Sequence, residues 1–364
     1  MSLQPLVSVI ILTRNKVDYL RNCVNSLLHN NDYENLEIII VNNNSDEKET
    51  FQYFEELKDY KHIKVYNNDM PFNYSALNNF GASFAIGEYL LFLNNDIEFI
   101  TSNTIYELVE TAREENVGVV GAVLLYPDNT IQHAGVNVHK NGAWQPYRNA
   151  ELEELPFINN KRRCSAVIGA CLLVSSDNFR LVDGFEENLK VVLNDIDFCL
   201  KLDQKGLYTI CSPIRLYHYE GISRGKKSPK DDVDNFIKKW SAVINYGDPY
   251  DESFEISKEH LNQYFSRYRN SNKRPVYIFG TGAKGERAID ILKQLNIPIT
   301  NFLDNDSNKW GTRFGQYDVC SPLEILATEQ KFPFIVIASM YYAEIKEQLN
   351  DFGLELYKDF YRVY

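Results

Sequence analysis

The first hundred residues alternate between two periodicities. Val7–Leu12 (VSVIIL) is an unbroken apolar, β-branched run, the pattern of a strand covered on both faces. Thr13-Arg14-Asn15 ends it, and Leu20, Val24, Leu27 and Leu28 then recur at helical spacing. Leu36–Val41 predicts a second buried strand, stopped by Asn42-Asn43-Asn44-Ser45. Phe51, Phe54 and Leu57 predict a helix, and Ile63–Tyr66 a third strand. A helix is expected over Tyr74–Ile86 with Gly87 as its C-cap, followed by a fourth strand, Glu88–Leu93, stopped by Asn94-Asn95-Asp96. Repeated βαβ units imply a parallel sheet, and such sheets bind ligands at the carboxyl ends of their strands. The polar stops at 13–15, 42–45 and 94–96 all fall at such ends.

Beyond Gly118 the pattern is mixed. Strands are expected at 118–124, 134–138 and 166–174, a helix at 195–205, and short strands at Tyr208–Cys211 and Leu216–His218. Residues 228–272 are charged and aromatic with helical stretches, and Ser271-Asn272-Lys273 reads as a linker. Val276–Phe279 then opens a new βα unit. The expected boundaries are therefore a first α/β domain at 1–240, a helical linker at 241–272 and a small α/β domain at 273–364.

Composition narrows the function. The chain is 44% hydrophobic and 24% charged, which is globular, and its net charge of −12 is unsuited to a nucleic-acid partner. No apolar run is long enough to cross a bilayer, and Met1–Leu12 lacks the basic flank of a signal peptide. The six cysteines (23, 164, 171, 199, 211 and 320) form no CxxC pair and read as reduced thiols of a cytoplasmic protein. Secreted, membrane-spanning and zinc-ribbon classes are excluded on this reading.

Three segments could carry chemistry. Asn94-Asn95-Asp96 follows a buried strand, so it is either a polar turn or part of a site for a hard divalent ion that also holds phosphates. In Asn194-Asp195-Ile196-Asp197 the carboxylates at i and i+2 point roughly 200° apart on a helix, so both cannot face one substrate. Asp195 near the helix start is either a general base or a cap. In Leu216–Glu220, His218 and Glu220 share a strand face, and His218 is either structural or an ion ligand. The basic stretch 221–227, with Arg224, is either a solvated loop or a diphosphate clamp.

The order of these motifs resembles the family 2 inverting glycosyltransferases of GT-A fold, and most closely their bacterial rhamnosyl- and galactofuranosyl-transferase-like branch. The resemblance runs through VSVIILTRN (7–15), IIIVNNNS (38–45), FNYSALNNFGASFAIGEYLLFLNND (72–96), IQHAG (131–135), VIGACLLV (167–174), NDIDFC (194–199) and YHYEGISRG (217–225). It implies a nucleoside-diphosphate-sugar donor, a glycan or lipid-linked acceptor, and a divalent cation, Mn or Mg. Thr13, Arg14, Asn42, Asn43, Asn78, Asn79, Asn94 and Arg224 are then donor-side residues. Asp96 and His218 are implied as metal ligands, Asp195 as the catalytic base and Asp197 as an acceptor-binding or orienting residue. Asn42 and Asn94 stand where the family usually has acids, and fewer carboxylates predict weak ion binding without the nucleotide. His133 receives no role beyond a structural or acceptor-side one. Membrane contact is expected to be at most peripheral, through Arg162-Arg163 or Lys226-Lys227.

In the tail, Gly280-Thr281-Gly282-Ala283-Lys284-Gly285 lies between a strand and a helix, and Asp304 ends the next strand. This is the order in which a helix N-terminus holds a pyrophosphate and an acid holds a ribose. Gly280, Gly282, Gly285 and Asp304 are therefore a second candidate nucleotide site. The segment resembles small Rossmann-like domains appended to sugar-modifying enzymes. Two other readings compete with the glycosyltransferase. One is a non-catalytic nucleotide-sugar sensor; the other, resting on the tail alone, is an NAD-dependent oxidoreductase.

Overall fold

The computed structural model describes residues 4–139, 142–219, 229–245, 248–268, 274–328, 333–356 and 358–364. The chain divides into two compact units, Met1–Tyr250 and Asp251–Tyr364.

The first unit begins with β1 (Val7–Thr13), α1 (Val17–His29), β2 (Leu36–Asn42), α2 (Lys48–Leu57), β3 (Ile63–Asn67), α3 (Tyr74–Ala82) and β4 (Tyr89–Asn94). It continues with β5 (Ile97–Phe99), α4 (Thr104–Ala112), β6 (Val117–Leu125), β7 (Ile131–His133), β8 (Asn137–His139) and β9 (Gly142–Trp144). It closes with β10 (Arg162–Cys164), β11 (Cys171–Ser175), α5 (Ser176–Leu181), α6 (Asn194–Asp203), β12 (Tyr208–His218) and α7 (Lys230–Ile244). The main sheet runs β10-β12-β6-β11-β4-β1-β2-β3, with β5 against β12 and β7 against β6. Strands β3, β2, β1 and β4 are parallel, as the βαβ pattern requires. Strand β11 then enters antiparallel to both β4 and β6. The aliphatic runs of β1 and β2 are buried, and Leu20, Cys23, Val24 and Leu27 of α1 pack into the same core.

Several elements depart from the sequence expectation; in place of the strand expected at 134–138 stand β7 and β8, with Val136 between them in an isolated bridge. Helix α3 ends at Ala82 rather than 86, and Gly87 is not its cap. A Cβ on Gly87 would lie 2.6 to 2.8 Å from Ser8 Oγ, the Ser8 nitrogen and the Leu6 carbonyl, so the glycine lets the chain press against β1. The two short strands expected at 208–211 and 216–218 are one strand, β12, with a register shift between Ser212 and Arg215. Pro213 lies in that interval and has no N–H to give the ladder. The strand expected at 166–174 begins only at Cys171; Ala166 makes an isolated bridge with Val136.

The second unit contains α8 (Ser253–Tyr268), β13 (Val276–Phe279), α9 (Ala283–Gln294), β14 (Asn301–Leu303), β15 (Arg313–Phe314), β16 (Tyr317–Cys320), α10 (Pro322–Thr328), β17 (Phe334–Ile337), α11 (Tyr342–Asp351) and β18 (Phe360–Arg362). Its sheet order is β15-β16-β14-β13-β17-β18, parallel throughout except for the β15–β16 pair. The stretch 241–272 is shared between the units. Phe236, Trp240 and Ile244 of α7 are buried in the first, while Leu261 and Tyr264 of α8 join the core of the second. Ser271-Asn272-Lys273 lies outside the described residues. Among the described residues, no helix is long and apolar enough to cross a membrane.

The close approach at Gly87 is testable. Gly87→Ala forces backbone against backbone and is expected to destabilise the protein by about 1–3 kcal/mol, seen as a lower denaturant midpoint. An unchanged midpoint would show that this approach is not tight.

Candidate active site

The carboxyl ends of three parallel strands lie level: Thr13 pairs with Asn42, and Leu12 with Asn94. The loops that follow are tied together. Asn15, at φ 56°, donates to the Asp46 carboxylate at 2.7 Å and accepts from the N–H groups of Asp46 and Glu47 at 2.9 and 3.1 Å. Buried Asn42 donates to Asn67 Oδ1 at 2.8 Å and accepts from the Ser45 N–H at 3.2 Å. Buried Asn43 donates to the carbonyls of Asn68 and Met70 at 2.9 and 2.8 Å. Its N–H donates to the Thr13 carbonyl at 2.9 Å, and Thr13 Oγ1 accepts from Asn95 at 3.2 Å. Arg14 is exposed beside them. Thr13, Arg14, Asn42 and Asn43 are thus brought to one edge of the sheet, with Asn15 and Asn95 as companions that the sequence did not single out.

Asn78 and Asn79 are placed differently. Asn78 donates to the Tyr74 carbonyl of its own helix at 2.9 Å. Asn79 bonds the backbone of Phe185 in both directions, each at 2.9 Å, and the Glu187 carboxylate at 3.1 Å. These bonds fix the 184–187 loop on α3 and give no support to a donor-side role. Arg224 lies outside the described residues, as do the rest of 220–228.

A second cluster forms where β5 meets β12. Antiparallel pairing sets His218 opposite Ile97, the residue after Asp96, and the Tyr219 N–H donates to the Asp96 carbonyl at 3.0 Å. His218 Nε2 then lies 3.2 Å from Asp96 Oδ1 and 3.3 Å from Asn94 Nδ2. On the far side of the ring, Nδ1 lies 2.6 Å from Gln132 Oε1. Among the described residues nothing donates to Asp96 Oδ1, although it is buried. A carboxylate oxygen without a donor beside an imidazole nitrogen is a costly arrangement unless a cation joins them. Adjacent ligands of an octahedral ion at about 2.1 Å stand about 3 Å apart, so the 3.2 Å separation fits a divalent cation. Among the described residues no group of three or more His, Cys, Asp or Glu gathers to hold an ion. Two protein ligands suit an ion whose other positions are filled by water and diphosphate oxygens.

Asp195 reaches the same edge through one connecting segment. The Asn94 N–H donates to the Ala170 carbonyl at 3.0 Å, and the Gly169 N–H next door donates to Asp195 Oδ2 at 2.9 Å. Asp195 Oδ1 accepts from the Ile196 N–H at 2.9 Å. The Gly169 carbonyl accepts from the Tyr74 hydroxyl at 2.9 Å, and no Cβ fits at Gly169 beside that ring. Helix α6, which carries Asp195, starts from Leu193 in the left-handed region at φ 64°, a costly conformation for a bulky side chain. The turn is held by α7: buried Asp232 accepts from the N–H groups of Val191 and Val192 at 2.7 and 3.0 Å.

Asp197 points away from Asp195, as helix geometry requires. It is wholly buried, and its Oδ1 accepts from Trp240 at 2.8 Å and from Lys239 at 2.7 Å. Of the two expected roles, acceptor-binding or orienting, this position is compatible with the second: Asp197 ties α6 to α7 beneath the surface. His133 is buried beside Gln145, and desolvation pushes its pKa down to about 3, so it is a neutral structural group.

In the second unit, Gly280 adopts φ 117° where a Cβ would strike the Ala338 carbonyl, and Gly285 packs against the Gly280 carbonyl. A Cβ on Gly282 meets nothing. Asp304 Oδ2 accepts from the Thr281 hydroxyl at 2.5 Å and from Lys309 at 2.9 Å, and Oδ1 accepts from the Asp306 N–H at 2.9 Å. Burial raises its pKa, but Thr281, Asp306 and Lys309 together hold it below the usual carboxylate range. Both oxygens of the expected ribose-binding acid are therefore bonded within the unit, Oδ2 to the glycine loop through Thr281 and Oδ1 to its own turn.

Comparison with known proteins bears on the family and the fold. Residues 8–169 match the family model described as glycosyl transferase family 2, and residues 272–360 match one described as C2185-like, N-terminal. The chain is 38% identical over 260 residues, 68% of its length, to the O-antigen biosynthesis protein RfbC of Myxococcus xanthus, covering 20% of that protein. It is 35% identical over 259 residues, 67% of its length, to the uncharacterized protein y4gI of Sinorhizobium fredii, covering 28% of it. The chain thus spans well under a third of either relative. Among solved structures, the crystal structure of GalNAc-T7 with UDP, GalNAc and Mn2+ superposes with a TM-score of 0.55 at 13% identity, covering 81% of this chain and 56% of that one. At that identity the likeness speaks for the fold. The chain carries a glycosyl transferase family 2 domain, folded as the GT-A glycosyltransferases are.

Proposed function

We propose that this protein is an inverting, divalent-metal-assisted glycosyltransferase. On this reading it moves a sugar from a nucleoside-diphosphate donor to a hydroxyl of a glycan or lipid-linked acceptor in building a bacterial surface polysaccharide. The observation that carries it is the placement of Asp195 across the Gly169-Ala170 segment from the Asp96–His218 pair, at the strand ends of a family 2 domain. The O-antigen role in the name of the Myxococcus relative supports the polysaccharide assignment, and UDP with Mn2+ in the GalNAc-T7 structure supports the donor class and the ion.

The donor's base and ribose would lie against Thr13, Arg14, Asn42 and Asn43. Asparagine amides there offer both donors and acceptors, where carboxylates would offer acceptors alone. Asp96 and His218 would hold a Mn or Mg ion, which would neutralise charge on the departing nucleoside diphosphate. Asp195, oriented by the N–H groups of Gly169 and Ile196, takes the proton of the acceptor hydroxyl as its oxygen bonds to the anomeric carbon. The diphosphate leaves from the opposite face, so a single displacement inverts the configuration and no covalent sugar–enzyme bond forms. The donor sugar is of the class handled by the rhamnosyl- and galactofuranosyl-transferase-like branch. The enzyme would act in the cytoplasm with at most peripheral membrane contact. Of the pair, Arg163 is the more exposed and lies over the Tyr208 ring, while Arg162 donates to the Ala134 carbonyl and lies over the Phe157 ring.

Three outcomes test this reading. Asp195→Asn keeps the size of the side chain and is expected to lower kcat by about 10²–10⁴-fold with a near-native melting temperature. Retained transfer would remove Asp195 from the base role. In thermal-shift assays on the full chain, UDP and GDP with Mn2+ should raise the midpoint of the wild type by more than either nucleotide alone. Asp96→Asn should abolish that Mn2+-dependent increment; an increment that survives in the variant places the ion elsewhere. Finally, Asp232→Ala removes two buried bonds from the turn before Asp195 and should cost about 1–3 kcal/mol of stability together with kcat. Adding Leu193→Gly, which relieves the left-handed strain, should restore part of the stability, and no recovery would show that Asp232 does not hold that turn.

A further inference from the structure

The Asp96–His218 pair owes its geometry to a residue outside it. Gln132 is 1% exposed and bonds His218 twice: its Oε1 lies 2.6 Å from ring Nδ1, and its Nε2 donates to the His218 carbonyl at 3.4 Å. The second bond fixes which end of the amide faces the ring. With the NH2 group turned to the carbonyl, the oxygen faces Nδ1, so Nδ1 must carry the proton. Nε2 is then left with its lone pair toward Asp96 and Asn94, where the Asn94 amide can donate to it at 3.3 Å.

The backbone aims Gln132 for this contact. On β7, His133 is level with Leu124 and Ile131 with Leu125, so Gln132 is the extra residue of a bulge against β6. A bulge re-aims one side chain that regular alternation would direct elsewhere, and such bulges cluster beside active sites.

We infer that Gln132 is a positioning residue that sets His218 in the Nδ1–H tautomer and points Nε2 at a divalent cation shared with Asp96. The inference rests on the metal-site reading of Asp96 and His218 given above. The imidazole of a metal-binding histidine characteristically donates its other N–H to a fixed acceptor, which orients the ring and raises its basicity. Gln132 provides that acceptor and, through its second bond, fixes the peptide carrying the ring.

The test begins without any substitution or ion. In the 15N-histidine-labelled full chain above pH 8, free of divalent ions, two-bond 15N–1H correlations should give His218 a protonated Nδ1 and a bare Nε2. A protonated Nε2 would overturn the inference. Mn2+ binding is then followed by electron paramagnetic resonance, with Mn2+ alone and with Mn2+ plus UDP. Gln132→Leu should weaken Mn2+ binding about 10–100-fold and lose the Nδ1–H preference. Gln132→Glu keeps an acceptor at Nδ1 and should retain both within a few-fold. Unchanged Mn2+ affinity in folded Gln132→Leu would overturn the positioning role. His218→Ala separates the two readings: if it leaves Mn2+ affinity unchanged, the metal-site reading fails while the tautomer measured by NMR still reports on Gln132. Should Gln132→Leu fail to fold, the wild-type spectrum and Gln132→Glu decide the matter.

Discussion

The short antiparallel pairing of β5 with β12 is the contact on which the site depends. Only three residue pairs make it, yet one of them sets His218 opposite Ile97 and so beside Asp96. Asn94 and His218 are 124 residues apart in the chain, and closing that distance costs entropy that three ladder pairs alone would not offset. The remainder comes from the length of β12, which runs parallel to β6 for most of its course and is anchored in the central sheet. The site is thus built at the end of a strand whose stability lies elsewhere. Its polar groups need only be aimed, not held.

Around this contact the protein places buried polar groups in two kinds of duty. Asp197, Asp232 and Asn79 are buried or half-buried and bonded to named partners on α7 or on neighbouring loops. They hold the turns that present chemistry, and each would be costly to leave unpaired. Asp96 Oδ1 and Asn43 Oδ1 are also buried acceptors to which nothing donates among the described residues, as is Asp197 Oδ2, but these two lie at strand ends. At a strand end, such an atom is one that a ligand or ion can satisfy. Their positions, at the ends of β4 and β2, match the carboxyl-edge rule for parallel sheets.

The second unit carries its nucleotide-fold motif with the polar groups already bonded among themselves. Its strand, glycine loop, helix and following acid occur in the order expected for a nucleotide fold, and its strands are parallel. Yet Asp304 is bound to Thr281 and Lys309, and Gly282 has open space around it. Gly280 and Gly285 are required by the packing of the loop, Gly280 against the Ala338 carbonyl and Gly285 against the Gly280 carbonyl. Spacing alone cannot separate a carboxylate that waits for a ribose from one that closes its own loop.

What the sequence by itself determined was local. Unbroken β-branched runs and helical spacing gave the parallel strands β1 to β4 and their polar ends, because side-chain periodicity follows directly from backbone geometry. The divergence of Asp195 and Asp197 was legible in the same way, from the helical rotation between i and i+2. What only the tertiary structure decided was which polar ends meet. Asn79 and Asp197, read from motif position as ligand-side groups, proved to be bonded to backbone or buried against α7. Gln132, quoted within a motif and given no role, proved to fix His218. Such pairings depend on strand register, a bulge at Gln132 and a left-handed Leu193, all set by contacts between residues far apart in the chain. No local pattern encodes them, because hydrogen-bond partners are chosen by proximity in space and not by spacing in sequence.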